Sequence, residues 1–359
     1  MQEDTKKLNF YFAPMEGITG LTFRNVHREL FPQIDRYYGP FIAATQTLSL
    51  KKKEIRDTDP DRNRAYTFVP QVLTNSPEQF VWAVSEMQKR GYGEVNLNLG
   101  CPSGTVVPKF KGAGMLGDMD RLDRFFDSCF SLMDRQIPGW NRKGPLKAGP
   151  SPALAQSGSP APAEEIRSVR ISVKTRIGLD DRKNLPQLIA LLNRYPFSEI
   201  IVHPRLRTDF YGGSPDLEAF QLCAEGISHP VAYNGDLFSA EDFRRITARF
   251  PSLSGIMSGR GLLVNPALVR EMKGGRPLEA DELRHFHDLL FGRLLKDMPG
   301  GGNVLFKMKE LWFYMGQDFP DAGPYIKKIK KAKTPADYRI AADRLFDECS
   351  MSVPERPVF

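Results

Sequence analysis

The chain has 359 residues, of which 41% are hydrophobic and 26% are charged, a composition typical of a globular protein and unlike that of a disordered or fibrous chain. Its net charge of +7 favours a polyanionic partner only weakly, because many unrelated proteins carry as much. No apolar stretch reaches the roughly 18–20 residues of a membrane span, and the first ten residues lack the apolar core of a signal peptide. Four cysteines without a CxxC pair favour a reducing compartment over a disulfide framework or a zinc site. We therefore expect a cytoplasmic protein with no membrane and no metal.

Short apolar runs typical of strands alternate with longer helical patterns along most of the chain. Such runs, separated by helices, indicate a parallel sheet covered on its outer face. The polar segment 49–64, after the second run, predicts irregular structure. The strand-like runs are 10–13, 37–43, 67–73, 94–99, 169–175, 199–202, 230–233 and 255–257. The helical patterns among them are 22–30, 77–90, 121–133, 185–193, 217–224 and 240–248.

Eight strand-like runs within about 265 residues predict an α/β fold, the closed (β/α)8 TIM barrel. A doubly wound sheet that binds a dinucleotide would need a GxGxxG turn after its first strand, where this chain has Ala13-Pro14-Met15-Glu16-Gly17. Segment 138–163 is rich in Pro, Gly, Ala and Ser and predicts a flexible insertion. It stands between a helix and the next strand, so we expect it on the barrel face opposite the active site.

Helical patterns alone continue after Pro266, at 281–296, 303–314 and 335–346. We therefore predict two domains, a catalytic and cofactor-binding barrel over 1–268 and a small helical domain over 269–359. A lysine cluster in the second domain is either a solvated helix face or an RNA contact, since acidic residues elsewhere nearly balance it. It consists of Lys327, Lys328, Lys330, Lys331 and Lys333.

Two glycine-containing turns follow the seventh and eighth runs. They read Asn234-Gly235-Asp236 and Ser258-Gly259-Arg260-Gly261. Barrel enzymes often bind a phosphate at these two places, where backbone N–H groups face the anion and glycine permits close approach. Either turn alone is as consistent with an ordinary strand-to-helix connection, but together they favour a phosphorylated cofactor or substrate. No metal-ligand spacing accompanies them, because His203 stands alone.

Lys174 and Cys101 stand at or just past strand ends, where polar side chains converge on the mouth of a barrel. A buried ammonium is costly unless paired, so Lys174 points to a role, either as a Schiff-base lysine of an aldolase or as a cation that stabilises an electron-rich ring such as reduced flavin. Cys101 could be a small core residue, a nucleophile or a proton donor. Its place between an asparagine-bearing strand and a glycine-rich loop favours exposure at the mouth.

Taken in order from about residue 10 to 270, these motifs resemble those of the tRNA-dihydrouridine synthases. The segment Asn96-x-Asn98-x-Gly100-Cys101-Pro102, followed by the lysine, histidine and Gly-Arg-Gly motifs, is specific to that family, whereas no single motif is. The motifs that carry the resemblance are Ala13-Pro14-Met15, Arg24, Gln71, Asn96 to Pro102, Gly112-Ala113-Gly114-Met115-Leu116, Val173-Lys174-x-Arg176-x-Gly178, Val202-His203-x-Arg205, Asn234-Gly235-Asp236 and Gly259-Arg260-Gly261-x-x-x-Asn265-Pro266.

The resemblance implies an FMN enzyme that reduces the 5,6 double bond of specific uridines in tRNA to dihydrouridine, with NADPH or NADH as the reductant. Cys101 would donate a proton to carbon 5 while the reduced flavin gives hydride to carbon 6. By the same resemblance, Asn98, Arg176 and Arg205 would contact the substrate. The residues expected to bind FMN are Pro14, Met15, Gln71, Lys174, His203, Asn234, Gly235, Gly259 and Arg260.

The resemblance also makes the helical domain over 269–359 an RNA-binding domain, with tRNA or another RNA as the partner, in a protein expected to be a monomer. Two alternatives stay open. One is an FMN barrel that acts on a small molecule, such as a dihydroorotate- or dihydropyrimidine-type dehydrogenase, which the lysine cluster disfavours. The other is a non-catalytic RNA-binding module, which the presence of Cys101, Lys174 and His203 disfavours.

Overall fold

The computed structural model describes residues 8–140, 168–298, 302–354 and 357; the predicted insertion lies outside them from residue 141 to its end. The strands are β1 (Asn9–Phe12), β2 (Arg36–Tyr38), β3 (Thr67–Val69), β4 (Gln71–Val72), β5 (Glu94–Leu99), β6 (Arg170–Gly178), β7 (Ile200–Leu206), β8 (Val231–Asn234) and β9 (Gly255–Ser258). The helices are α1 (Leu21–Leu30), α2 (Lys52–Asp57), α3 (Pro60–Asn63), α4 (Pro77–Lys89), α5 (Met119–Gln136), α6 (Leu185–Arg194), α7 (Leu217–Gly226), α8 (Ala240–Arg249), α9 (Arg260–Val264), α10 (Leu268–Met272), α11 (Ala280–Asp297), α12 (Gly302–Met315), α13 (Gly323–Lys331) and α14 (Pro335–Glu348).

All nine strands form one parallel sheet in the order β3-β2-β1-β9-β8-β7-β6-β5-β4. Its two outer strands are the halves of the predicted run 67–73, which Pro70 divides because proline has no N–H to donate to a neighbouring strand. The Pro70 carbonyl still accepts the Asn96 N–H at 2.9 Å, and Ile42 bridges to Val72. The sheet therefore closes on itself through Pro70, and the predicted barrel is confirmed.

The barrel interior holds a compact apolar layer. It is built by inward-facing residues from six strands and the residue that follows β1, since alternate positions of a strand share a face. These residues are Tyr11, Ala13, Tyr38, Val69, Ile201, Ala232 and Met257, all at most 5% exposed. The layer fills part of the barrel interior with side chains, as in a packed core, and the functional residues are expected at the strand ends.

The prediction of irregular structure for 49–64 is wrong, because α2 and α3 lie there. The Glu54 carboxylate accepts the Lys51 N–H at 2.8 Å and the Ala43 N–H at 3.0 Å, which fixes the start of α2. Asp59 accepts the N–H groups of two residues in the first turn of α3, and Pro60 occupies its first position. Both helices therefore begin through local capping, which overrides the lack of apolar periodicity.

The chain divides into two compact units: unit 1 comprises Met1–Pro14, Asp35–Gly235 and Phe250–Met257, and unit 2 comprises Met15–Ile34, Asp236–Arg249 and Ser258–Phe359. Unit 1 contains the sheet, and the domain boundary at 268/269 stays a prediction.

In unit 2, helix α1 packs against α11. Phe23 in α1 and Phe31 directly after this helix contact Phe286 at ring-centroid distances of 5.6 and 5.9 Å. Between them, His27 donates its Nε2–H to the Pro266 carbonyl at 3.0 Å, and burial lowers the pKa of His27 to about 3. The C-terminal helices thus share an aromatic core with a helix from the start of the chain.

Candidate active site

Cys101 lies in a tight turn directly after β5. The Asn98 Oδ1 accepts the N–H groups of Gly100 at 3.0 Å and of Cys101 at 2.9 Å, so one amide holds the turn. The Cys101 carbonyl accepts the Ala113 N–H at 3.0 Å, and the side chain is half-buried, as expected for a residue at the mouth. Gly112 permits this approach: its φ is +55°, and a Cβ there would lie 2.8 Å from the Cys101 carbonyl oxygen and 3.0 Å from the Cys101 Cβ.

Lys174 lies beside this turn, because β6 pairs with β5 in the register that sets Lys174 opposite Asn98. Its side chain is half-buried, and among the described residues no hydrogen bond or ion pair to its ammonium is recorded. The pKa of Lys174 is lowered from 10.5 to about 7, mainly by burial and secondly by the charge of Arg176, while the negative charge that Cys101 carries when ionised opposes the shift. The site therefore holds an amine that titrates near neutral pH within electrostatic reach of the thiol.

Gln71 joins the same cluster from β4. Its Oε1 accepts from the Asn98 Nδ2 at 2.7 Å, and its Nε2 donates to the Asn96 Oδ1 at 2.7 Å. Gln71 is fully buried, whereas Asn98 is 7% exposed. The structure thus brings four of the predicted residues together in one cluster, namely Gln71, Asn98, Cys101 and Lys174.

His203 and the two predicted substrate arginines form a neighbouring cluster on β6 and β7. Arg176 donates from Nε to the Gly100 carbonyl at 3.0 Å and from Nη1 to the Leu206 carbonyl at 2.6 Å. Arg205 donates from Nε to the Gly212 carbonyl at 3.1 Å. Further bonds run from Arg176 to the Phe210 carbonyl and from Arg205 to the Gly213 carbonyl, at 2.6 and 2.7 Å.

Both arginines are 1% exposed, and these bonds clamp the loop that follows β7. The guanidinium groups therefore fix the backbone of that loop, which carries the exposed aromatic side chains Phe210 and Tyr211. Arg205 also contacts the His203 Nε2 from Nη1 at 3.3 Å. Because arginine only donates, this contact assigns Nε2 as an acceptor and leaves the proton of neutral His203 on Nδ1.

Asn234 is the last residue of β8 and Gly235 follows it, and both belong to unit 1. The Asn234 Nδ2 donates to the Met257 carbonyl at 2.9 Å, which ties the ends of β8 and β9 together. A Cβ at Gly235 would lie 2.1 Å from the Tyr233 hydroxyl, so glycine is required unless that buried ring moves. Pro14, the last residue of the first segment of this unit, is half-buried.

The remaining predicted cofactor residues, Met15, Gly259 and Arg260, belong to unit 2. Arg260 forms an ion pair with Asp236 at 2.6 Å, with both side chains nearly buried. Gly259 directly precedes α9, and its carbonyl accepts the N–H groups of two residues in that helix. Met15 starts a turn closed by Thr19, whose Oγ1 accepts the Met15 N–H at 2.9 Å.

Sequence reasoning missed three buried residues that support this cluster. They are Glu94, Asn96 and Ser172, of which Asn96 was part of a recognised motif but was given no hydrogen-bonding role. The sequence carried a signal for Glu94 and Asn96, since the run Glu94-Val95-Asn96-Leu97-Asn98 alternates polar with apolar residues. In the structure all five residues are buried, so the polar ones form one buried face of β5.

No group of three or more His, Cys, Asp and Glu side chains in the described ranges could hold a metal ion. No helix within those same ranges is long and apolar enough to cross a membrane.

Comparison with known proteins identifies the family. The relatives include tRNA-dihydrouridine synthase B of Shewanella oneidensis, 22% identical over 94% of both chains. A probable tRNA-dihydrouridine synthase 1 of Synechocystis sp. is 24% identical over 93% of this chain and 86% of that protein. The tRNA-dihydrouridine(16) synthase of Neisseria meningitidis serogroup B is 20% identical over 94% of both chains.

Among solved structures, morphinone reductase aligns with 76% of this chain and 87% of its own, at 11% identity and a TM-score of 0.48. The family model described as dihydrouridine synthase (Dus) matches residues 11–130 and 163–334. The chain is therefore an oxidoreductase and belongs to the dihydrouridine synthase family.

Proposed function

We propose that this protein reduces the 5,6 double bond of specific uridines in tRNA to dihydrouridine, using FMN and a nicotinamide reductant, NADPH or NADH, with Cys101 as the proton donor. The observation that carries the proposal is that Cys101, a half-buried thiol, and Lys174, an amine whose pKa is lowered to about 7, stand on or directly after neighbouring strands at the carboxyl end of a parallel barrel. The family match and the names of the relatives support the substrate.

The residues at the mouth fit a flavin. Lys174, without a recorded partner in the described residues, offers a cation to an electron-rich ring, and Gln71 retains a second Nε2–H beyond the one it gives to Asn96. Pro14, Met15 and His203 are proposed to contact the same ring. Bound FMN, once reduced, would supply the hydride for carbon 6 of the uracil.

The role proposed for Cys101 is that of a general acid. As hydride adds to carbon 6, negative charge develops at carbon 5 and its carbonyl neighbour, and the Cys101 thiol delivers the proton to carbon 5. Hydride and proton together add two hydrogens across the double bond, and the resulting thiolate is reprotonated from solvent. The turn held by Asn98 and Gly112 keeps the sulfur in place.

Other proposed roles follow the resemblance. Asn234, Gly235, Gly259 and Arg260 would hold the phosphate of FMN, and Asn98 would contact the uracil. For Arg176 and Arg205 we propose that any contribution to substrate binding passes mainly through the loop that they clamp, because each guanidinium already donates twice to its carbonyls.

Because the target base sits in folded RNA, it must leave its stack to enter the mouth. The exposed lysines Lys327, Lys328, Lys330, Lys331 and Lys333 on and just after α13 would add affinity for the RNA backbone.

The test uses full-length protein loaded with FMN, NADPH as the reductant, and unmodified tRNA. Mass spectrometry should find a gain of two hydrogens at defined uridines. The Cys101→Ala variant should keep its flavin and lose about 10²–10⁴-fold in turnover, as for loss of a general acid. Cys349→Ser, at the other half-buried cysteine, is the matched control and should turn over normally. Absence of any modified uridine, or turnover of dihydroorotate in place of RNA, would overturn the proposal.

A further inference from the structure

A continuous chain of buried hydrogen bonds crosses the barrel from the Cys101 turn to its opposite end. The residues at 94, 96 and 98 face the barrel interior from β5, four residues apart in total, which spans about 13 Å of strand. We propose that Glu94 and Ser172 at the far end are positioning residues, which orient the Asn98 and Gln71 amides and thereby hold Cys101 in place.

The chain of hydrogen bonds has a single donor-to-acceptor direction, which is set at both of its ends. The N–H groups of Gly100 and Cys101 can only donate, so the Asn98 atom they contact is Oδ1, and its Nδ2 donates to the Gln71 Oε1. Gln71 then donates from Nε2 to the Asn96 Oδ1. Each amide orientation is thereby dictated by the one before it.

The far end imposes the same direction. Asn96 donates from Nδ2 to the Ser172 Oγ at 2.9 Å, and the Ser172 hydroxyl donates to the Glu94 Oε1 at 2.7 Å. Glu94 accepts, because its other oxygen pairs with Arg36 at 3.2 Å and with Arg170 at 3.5 Å. A carboxylate at one end and backbone N–H groups at the other allow only one arrangement of the amides between them.

This arrangement has a chemical consequence at the mouth. The Asn98 Oδ1 already accepts two backbone N–H groups, and its Nδ2 keeps one further N–H. The Gln71 Nε2 likewise keeps one further N–H. The Asn98 amide, which is 7% exposed, therefore offers a donor to a further partner, which suits the carbonyl oxygens of a uracil or an isoalloxazine and disfavours the amino group that cytosine carries in place of O4.

The cost of such a chain argues for a role. Burying several amides and a carboxylate in a barrel interior is unfavourable unless every link is made, and an apolar layer would fill the same space without that risk. The apolar layer elsewhere in this barrel shows that the alternative is available to this sequence.

Two serines provide a matched test. Ser172 and Ser254 are both buried, and both hydroxyls donate to a buried glutamate, Ser254 to the Glu199 Oε1 at 2.6 Å. Ser172 lies within the hydrogen-bond chain that reaches Cys101, whereas Ser254 lies beyond its far end and connects to it only through Arg36, which pairs with both glutamates. The measurement is the rate of Cys101 alkylation by iodoacetamide in flavin-free protein, read by peptide mass spectrometry, together with kcat and KM on tRNA for the flavin-loaded enzyme.

We expect Ser172→Ala to change the alkylation rate of Cys101 at least threefold and to lower kcat about tenfold with little change in KM, because losing one link leaves the amides free to rotate. Ser254→Ala should leave both within twofold, and Ser172→Thr, which keeps the hydroxyl, should restore the rates. Equal effects of the two alanine variants, or no effect of Ser172→Ala, would overturn the proposal.

Should Ser172→Ala fail to fold, a pair at position 96 decides the question. Asn96→Asp retains an acceptor for Gln71 but loses the N–H that donates to Ser172, so it should alter the alkylation rate of Cys101, and Asn96→Leu, which loses both links, should alter it more. Equal rates in these two variants would refute a directional chain. The measurement of kcat and KM rests on the proposed function, whereas the measurement of the alkylation rate does not. An inactive wild-type protein would refute the proposed function, and the alkylation rates would still test the hydrogen-bond chain.

Discussion

The Lys174→Met substitution gives the sharpest test of the electrostatics at the barrel mouth. Methionine keeps a long unbranched side chain, one heavy atom shorter than that of lysine, and removes the charge. Folding lowers the pKa of Lys174 from 10.5 to about 7, so the folded state disfavours the ammonium. The protein is therefore less stable at every pH at which the unfolded chain would bind that proton. We therefore expect Lys174→Met to be more stable than the wild type at neutral pH and to lose reductase activity.

The magnitude follows from the shift. A change from 10.5 to about 7, at about 1.4 kcal/mol per pKa unit, sets a ceiling of about 5 kcal/mol. Because part of the side chain contacts solvent, which screens the charge, we expect a gain of about 2 kcal/mol. The gain should be complete below pH 7 and should vanish as the pH rises through 10.5, where the lysine is neutral in both states.

The assay is urea unfolding of flavin-free protein at pH 6.5, 8 and 10. Lys183→Met is the control, because that lysine is exposed and its removal should change the free energy of unfolding by less than about 0.5 kcal/mol. If Lys174→Met is no more stable than the wild type at pH 6.5, or gains equally at pH 10, then Lys174 is not a desolvated cation and its proposed role beside the flavin loses its physical basis.

Three further predictions concern the turn, the proposed phosphate loops and the proposed RNA surface. Gly112→Ala should speed Cys101 alkylation and lower the melting temperature, since its Cβ would overlap the Cys101 backbone at a φ of +55°. Gly104→Ala is the control and should do neither, because a Cβ there has open space around it. Arg260→Ala should weaken FMN retention measured by equilibrium dialysis, while Asp236→Asn, which removes the ion-pair partner, should not weaken it; equal retention in all three proteins would exclude Arg260 from the site. Reversing the charge of the lysine cluster should weaken tRNA binding and flatten its dependence on salt, as seen by filter binding at two ionic strengths; an unchanged salt slope would make the cluster a solvated face.

These lysines are a better probe than removal of the C-terminal helices. Helix α11 packs its Phe286 against Phe23 of α1 and against Phe31 directly after it, so a truncation would expose a buried aromatic face as well as remove the proposed RNA surface. Loss of activity after such a deletion would not separate the two effects. Point variants on exposed side chains of α13 leave that core intact.

The sequence by itself determined the barrel and the family. Apolar runs at regular spacing predict the strands because each inward or outward face has a fixed period, and the run at Glu94–Leu99 matches β5 residue for residue. The placement of Cys101 and Lys174 at the mouth also followed, because the carboxyl ends of parallel strands meet at one end of a barrel. Local capping in 49–64 was encoded there too, but apolar periodicity does not detect it.

Only the tertiary structure decided the hydrogen-bond partners. Ser172 and Glu94 are 78 residues apart, and their contact depends on the register between β5 and β6, which no local pattern specifies. Likewise, Arg176 and Arg205 match a substrate-binding pattern in sequence, yet their guanidinium groups meet the carbonyls of a folded loop. Periodicity shows which face a residue occupies, whereas the partner of a buried polar group depends on which distant strand the fold brings against it.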